Sequence, residues 1–437
     1  MNKKLHVCID GLNIALSKGT GIATYARNLA NQLHQANYRV SLLFDKKLKE
    51  NTSNLLYEVL FYNALNPSAG NERAPRYHHR LPLRSPIYLC KNFLNLLKSP
   101  SGKEHEFPGI VEDQALKTRL PSFNSVYNIQ DIYQRSRWYF WMFGELLSIK
   151  LSPTPDIMHW TAPIPARVIG AKNYYTIHDI IPLKLPHATT DNKKYFYHML
   201  LKIAHTADQL ITVSEFSKND ISTHIKGTVG RIMNTYQGLH IEDNFLLNNS
   251  VFSVNQLKIQ FGLSPQDYFL FVGAIEPKKN VTRLLEGYLS ANVKQCLVVV
   301  GPLAWQSEKE RRLLKQYSPR VIYLNYVSSE IRDTLLSHAR ALVFPSLFEG
   351  FGLPVIEAMS MGVPVITSNI SSLPEIAGDA AYLVNPYSVY DIAASIQRLS
   401  TDDDLCAMLS KNGKERATYF SLDAYAKRLE EIYPQEM

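Results

Sequence analysis

Continuous apolar runs recur through the second half of the chain, each followed by a stretch whose apolar positions return every three or four residues. "YFLFVGAIE" (268–276), "CLVVVG" (296–301), "RVIYLNYV" (320–327), "ALVFPS" (341–346) and "VPVITS" (363–368) have the length and apolar content of strands. Between the first two, "NVTRLLEGYLS" (280–290) sets Val281, Leu284, Leu285 and Tyr288 on one face of a predicted helix, and "SSEIRDTLLSHA" predicts another after the third. Strands that are apolar throughout, rather than alternating, are covered on both faces. With helices between them they predict a parallel sheet whose ligands sit beyond the carboxyl ends of the strands.

The first half begins in the same way. "LHVCIDGL" reads as a strand, "GTGIATYARNLANQLHQ" as an amphipathic helix opening on glycines, and "YRVSLLF" as the next strand. Later, "DIMHW", "NYYTIHDI" and "DQLITVS" are short apolar segments that end in polar residues. At 437 residues the chain exceeds one ordinary core. The expectation is an α/β protein of two Rossmann-like parallel-sheet domains facing a central cleft, residues 1–245 and 246–415, with the junction near 236–254. Residues 416–437 predict a closing helix, with Ser421 as N-cap and Leu422, Tyr425, Leu429 and Ile432 at helical spacing. Residues 66–150 depart from this pattern and read as an insertion on the first domain.

Composition, 46% hydrophobic and 20% charged, is that of a soluble globular protein without an apolar run long enough for a membrane span. Two lysines and a short strand closed by Asp10 at the N-terminus do not read as a secretory signal, and Cys8, Cys90, Cys296 and Cys406 have no metal-like spacing. Both features suggest a cytoplasmic protein with reduced thiols. The net charge of +8 is uneven: residues 1–250 hold 29 Lys and Arg against 19 Asp and Glu, and the remainder 18 against 20. The first half therefore suits an anionic partner such as a lipid surface, a phosphorylated substrate or nucleic acid.

The candidate chemistry lies at four strand ends. In "SLFEGFGLPVIEAMSMGVPVIT" (346–367), a strand ends at Ser346 and Gly350 and Gly352 permit close backbone approach. Pro354 suits the first position of a helix, which puts Glu357 in its first turn. Free N–H groups at a helix start receive phosphate, so Glu349 and Glu357 would face hydroxyls, those of a ribose or a sugar. The same spacing also fits a surface-loop Glu349 and a Glu357 that only complements the helix dipole. In "VGAIEPKKN" (272–280), Lys278 and Lys279 follow a strand ending at Gly273, as a diphosphate clamp or as a solvated pair. In "TIHDIIP" (176–182), His178 sits just past a buried strand, where histidines are more often structural. "GTGIATYARNL" (19–29) lacks the third glycine of a dinucleotide fingerprint, Thr24 standing in its place, and no G-x-x-x-x-G-K-[ST] occurs. These absences argue against nicotinamide and P-loop enzymes.

Together these stretches resemble glycosyltransferase family 4, retaining nucleotide-sugar transferases of the GT-B fold. "EGFGLPVIE" (349–357) matches its E-x7-E signature, "FVGAIEPKKN" its donor-phosphate loop, and "TVSEFSKNDI" (212–221) a segment common in its first domain. The similarity covers about 1–45 and 156–437 and omits the 66–150 stretch. The resemblance implies that Glu349 binds hydroxyls of the transferred sugar and Glu357 those of the ribose. Backbone N–H groups of Phe351, Gly352 and Leu353 would receive the distal phosphate and sugar. Lys279 matches the phosphate-binding lysine, and His178 the histidine that reaches the donor sugar. Gly21 matches the glycine where the β-phosphate meets the first domain. Gly273 ends the phosphate strand. The arginine that often follows it is here Ala274, so the second cation falls to Lys278.

The resemblance further implies metal-independent transfer with no cofactor beyond the nucleotide-sugar co-substrate. The only D-x-D, Asp402–Asp404, reads instead as the capped start of a helix. The likeness is strongest to bacterial enzymes of surface polysaccharide synthesis that use GDP-mannose and a lipid-linked oligosaccharide acceptor. A UDP-hexose donor is the alternative, as are a GT-B-like enzyme that is not a transferase and a silent scaffold. The cations of 73–98, interleaved with Tyr77, Tyr88 and Phe93, fit peripheral contact with an anionic membrane on the inner face of the plasma membrane, or an ordinary helical insertion. No nucleic-acid recognition motif accompanies them.

Overall fold

The computed structural model describes residues 4–14, 21–48, 53–65, 99–112, 120–240, 254–304, 307–318 and 320–434. The basic stretch 73–98, Gly19 and most of the expected junction at 236–254 lie outside them.

Two sheets form the architecture. The first contains β1 (His6–Asp10), β2 (Arg39–Phe44), β3 (Ser101–Glu106), β4 (Ser125–Asn128), β5 (Leu147–Ser152), β6 (Ile157–Trp160), β7 (Ala166–Val168), β8 (Lys172–Thr176), β9 (Gln209–Thr212) and β10 (Ile232–Asn234). Its order is β10-β9-β8-β6-β1-β2-β4-β3-β5-β7, parallel except between β3 and β4. The second contains β11 (Tyr268–Val272), β12 (Cys296–Val300), β13 (Val321–Leu324), β14 (Ala341–Phe344), β15 (Val365–Ser368) and β16 (Tyr382–Val384). It is parallel throughout, in the order β13-β12-β11-β14-β15-β16.

The strand order fixes where ligands can bind. The chain builds outward from β11 to β12 and β13, then returns to β14 on the other side. The connections after β11 and β14 therefore diverge and leave a crevice at their carboxyl ends. The first sheet has the same divergence at β1, flanked by β2 and β6. The helix Val281–Ala291 buries Val281, Leu284, Leu285 and Tyr288, the face its sequence spacing marks.

The described part of the 66–150 stretch, 99–112 and 120–150, is built into the first sheet. It supplies β3, β4 and most of β5 to that sheet, and the helix Ile132–Phe143 covers it with Ile132, Tyr133 and Phe140. β4 pairs in parallel with β2, so this segment continues the sheet from its middle rather than decorating its surface.

The last helix, Leu422–Glu430, starts at Ser421, whose hydroxyl accepts from the Ala424 N–H at 3.2 Å. It lies against the first-domain helix Gly21–Gln35, with the Tyr25 and Tyr425 rings 6.4 Å apart. Beyond it, Tyr433 hydrogen-bonds Nδ1 of the buried His159, and the Tyr38 hydroxyl donates to the Tyr433 carbonyl at 3.1 Å. The chain end is thereby fastened to the first sheet.

Candidate active site

Lys278 and Lys279 lie in a short turn, Pro277–Lys279, directly beyond β11, and Glu349 lies beyond β14. Two bonds join these loops. The Leu347 N–H donates to the Lys278 carbonyl at 2.7 Å, and Asn280 Nδ2 donates to the Pro345 carbonyl at 3.0 Å. Asn280 adopts φ 59°, a left-handed position that asparagine tolerates well.

The loops bring Lys279 Nζ to 2.7 Å from Glu349 Oε1, with both side chains largely buried. Lys279 also stands 4.7 Å from the Phe344 ring centroid, a cation–π contact. Burial alone would raise the Glu349 pKa, but the charges of Lys279 and Lys278 outweigh it and hold the carboxyl below its ordinary value. Burial opposes the charge on Lys278, yet the carboxylates of Glu349, Glu276 and Asp179 keep its pKa above the usual lysine range. Asp179 belongs to the first domain, so this charge cluster spans the cleft.

After Glu349 the backbone becomes a phosphate-type cradle. Gly352 takes φ 108°, closed to ordinary L residues, and the helix Leu353–Ser360 starts directly after it. Among the described residues, the N–H groups of Phe351 and Gly352 have no hydrogen-bond acceptor. Pro354 is the second residue of the helix rather than the first, so Glu357 falls in its second turn. The early start at Leu353 follows from the left-handed Gly352, which already turns the chain into the helix. Glu357 is half-buried. Burial raises its pKa, with Arg332 opposing and Asp333 reinforcing.

His178 and Gly21 reach this loop from the first domain. A Cβ on Gly350 would lie 2.6 Å from the His178 carbonyl oxygen, and one on Gly21 would lie 3.2 Å from Leu353 Cδ1. Only glycine at 350 allows the two domains to approach this closely. His178 is buried, its Nε2–H donates to the Thr161 carbonyl at 2.8 Å, and the Tyr25 ring meets it edge-on at 5.0 Å. Burial lowers its pKa, more than the Thr161 bond and Asp179 raise it. Burial thus favours the neutral imidazole, in which the Nε2–H bond leaves Nδ1 as the acceptor. Gly273 sits at φ 152°, and its N–H donates to the Val300 carbonyl at 2.9 Å.

The residues singled out by sequence thus lie on the loops beyond β11 and β14 and on the first-domain loops that face them, with Glu357 one turn into the helix that follows, beside Arg332. Sequence reasoning missed Asp179, Asn280, Ser371, Ser372 and Arg332. Ser372 donates from Oγ to the carbonyls of Glu349 and Phe351 at 3.0 and 2.9 Å, and Ser371 Oγ accepts from the Glu349 N–H at 3.3 Å. Asp402 caps the helix Asp403–Thr418 by accepting from the Leu405 N–H at 2.9 Å.

Residues 255–416 match the family described as Glycosyl transferases group 1. The O-antigen chain mannosyltransferase B of Escherichia coli is 32% identical over 253 residues, covering 56% of this chain and 66% of that protein. The serotype-specific mannosyltransferase WbdA of Escherichia coli is 28% identical over 272 residues, covering 60% of this chain and 33% of WbdA. The chain thus matches less than two thirds of either relative. Among solved structures, the sucrose-phosphate synthase of Thermosynechococcus elongatus superposes with a TM-score of 0.64 at 19% identity, covering 99% of both chains.

Proposed function

We propose, for a chain that has the GT-B fold and carries a group 1 glycosyl transferase domain at residues 255–416, that it is a retaining hexosyltransferase of bacterial surface polysaccharide synthesis. The observation that carries this reading is the buried Lys279–Glu349 pair beside unengaged backbone N–H groups at the switch point of the second sheet. Cation and N–H donors meet a diphosphate there, while the carboxylate meets sugar hydroxyls. The relatives named as mannosyltransferases favour mannose as the sugar; GDP-mannose as its donor and a lipid-linked oligosaccharide as its acceptor complete the proposal. A UDP-hexose is the second reading for the donor.

In this mechanism the bond between the sugar anomeric carbon and the diphosphate oxygen breaks first. Charge builds on the leaving diphosphate, and Lys278, Lys279 and the N–H groups of residues 351–353 stabilise it. The acceptor hydroxyl attacks from the same face and gives its proton to the departing phosphate oxygen, so configuration is retained. Glu349 orients the sugar through its hydroxyls, and His178 closes over the sugar from the first domain. The lysines supply the cationic role, and the scheme uses no metal. Contact with an anionic membrane is proposed through the first domain; among the described residues no helix is long and apolar enough to cross a bilayer.

A melting-temperature screen against GDP-mannose, UDP-glucose, UDP-N-acetylglucosamine and dTDP-rhamnose tests the donor. Ligand at 100 times its Kd stabilises by about 2.7 kcal/mol, so the true donor stands out by several degrees. A shift with GDP-mannose supports the first reading, a shift with a UDP-hexose replaces it by the second, and no shift with any overturns both. Glu357→Ala is expected to weaken GDP binding about tenfold by calorimetry, the value of one charge-assisted bond to ribose. Unchanged affinity would remove Glu357 from the nucleotide site.

A further inference from the structure

The segment "TVSEFSKNDI" (212–221) takes no part in the donor chemistry, yet its first helical turn crosses the cleft. Ser214 caps the helix Glu215–His224 by accepting from the Ser217 N–H at 3.0 Å. The hydroxyls of Ser214 and Ser217 then both donate to the Gly350 carbonyl, at 2.7 and 3.1 Å. Both serines are fully or almost fully buried. The next two N–H groups of the same turn go to the second domain as well. Glu215 N–H donates to Glu375 Oε1 at 2.7 Å and Phe216 N–H to Glu375 Oε2 at 2.8 Å. A carboxylate of one domain thus caps a helix of the other, where opposite partial charge favours it. Glu375 is itself held, because Arg416 donates to its carbonyl at 2.6 Å.

The consequence for the donor loop follows from peptide planarity. In a trans peptide the carbonyl and the following N–H point in opposite directions. Fixing the Gly350 carbonyl therefore aims the Phe351 N–H the other way. Ser372 does the same for its neighbours from within the second domain, holding the carbonyls of Glu349 and Phe351 and so aiming the N–H groups of Gly350 and Gly352. The middle carbonyl of the three is the one served from across the cleft.

We propose that Ser214, Ser217 and Glu375 are positioning residues that latch the first domain onto the donor loop and orient its Phe351 N–H toward the leaving diphosphate. The latch couples domain closure to completion of the phosphate cradle. It rests on the donor-loop reading given under Proposed function. Helix capping alone would need only Ser214, and domain packing alone would not require two hydroxyls on one carbonyl of the cradle.

The test uses the full chain as Ser217→Ala, Glu375→Gln and the double variant, with GDP-mannose turnover and GDP affinity measured on each. Ser217→Ala leaves the Ser214 cap in place, and Glu375→Gln keeps the side-chain shape while turning an amide N–H toward a helix N–H. Each single variant is expected to lower kcat about tenfold and to weaken GDP, which carries the fully charged leaving diphosphate, by a similar factor, with the melting temperature unchanged. Because both act on one closure, the double variant should lose less than the product of the singles. An unchanged kcat in a folded Glu375→Gln, or a loss that tracks a fall in melting temperature, overturns the latch. Should no nucleotide sugar turn over in the parent chain, the donor reading fails and the latch is read by amide exchange. Protection at Glu215 and Phe216 that Glu375→Gln abolishes keeps it, and unchanged protection ends it.

Discussion

Lys279→Ala is expected to lower kcat/KM by about 100- to 1,000-fold, the loss seen when one preorganised donor to a developing anion is removed. The expected size follows from the environment of the ammonium. Lys279 is largely buried, paired to Glu349 at 2.7 Å and set against the Phe344 ring, so no water replaces it on the leaving group. The change also leaves Lys278 as the remaining cation that compensates the buried Glu349 carboxylate. In the parent chain Glu349 has a lowered pKa, so the stability it contributes is present above the ordinary carboxylate range and is lost only as pH falls through that lowered value. Without Lys279 the burial contribution, which raises the pKa, faces one fewer opposing charge. The acid limb of kcat/KM in Lys279→Ala should therefore move to higher pH than in the parent. Measuring both pH profiles decides it. Activity within tenfold of the parent, or an unmoved acid limb, removes Lys279 from its place opposite the diphosphate and Glu349.

The second sheet was legible because its strands carry one message at every position. β14 reads Ala-Leu-Val-Phe and is buried at each residue, and β12 is buried at all but its first. Such runs admit no polar face and so announce a sheet covered on both sides. The strands in the described part of the 66–150 stretch were not legible, for the opposite reason. β3 is Ser-Gly-Lys-Glu-His-Glu, which has neither an apolar run nor an alternation. It is a strand because β4 and β5 flank it, and its Glu104 is taken up by Arg39 at 2.9 Å. Polar strand composition of this kind becomes readable only with the partners in view.

The site divides along the same line. Lys279 and Glu349 are 70 positions apart, but each directly follows an apolar run, and strand ends next to a switch point are where ligand chemistry collects. Ser214, Ser217 and Glu375 gave no such signal. S-x-x-S before a helix reads as an ordinary N-cap, which Ser214 also is. Its second role depends on Gly350, 136 positions away and in the other domain. Glu357 was misplaced by one helical position because Pro354 marks the region of a helix start without fixing the residue, and the left-handed Gly352 set the start one position earlier.

Asp10→Asn is expected to gain about 2–3 kcal/mol of stability relative to the parent between pH 4 and pH 7, a relative rise in melting temperature of roughly 5–10 °C. Asp10 ends β1 with no solvent exposure, and its Oδ2 accepts from both the N–H and the hydroxyl of Thr161, the latter at 2.7 Å. Oδ1 accepts no hydrogen bond of ordinary geometry, although the Leu12 N–H lies near enough to favour the charge. Burial pushes the pKa up to about 6 from 3.8, against the Thr161 and Leu12 contributions. A raised folded-state pKa means that the folded protein holds this proton more tightly than the unfolded chain. The stabilisation from protonated Asp10 is complete below about pH 4, falls as pH rises toward about 6, and is absent above it. An asparagine carries no charge at any pH, and its amide oxygen can take both Thr161 bonds where Oδ2 now does, while its Nδ2 faces the Leu12 N–H at a cost that does not vary with pH. The stability of the variant relative to the parent should therefore rise from pH 4 and reach its full gain by pH 7. Melting curves of the two proteins across that range isolate the effect, since every other titrating group is common to both. A difference that stays flat with pH would mean that Asp10 ionises in the folded protein as freely as in water, and would overturn the reading of a buried charge held at the mouth of β1.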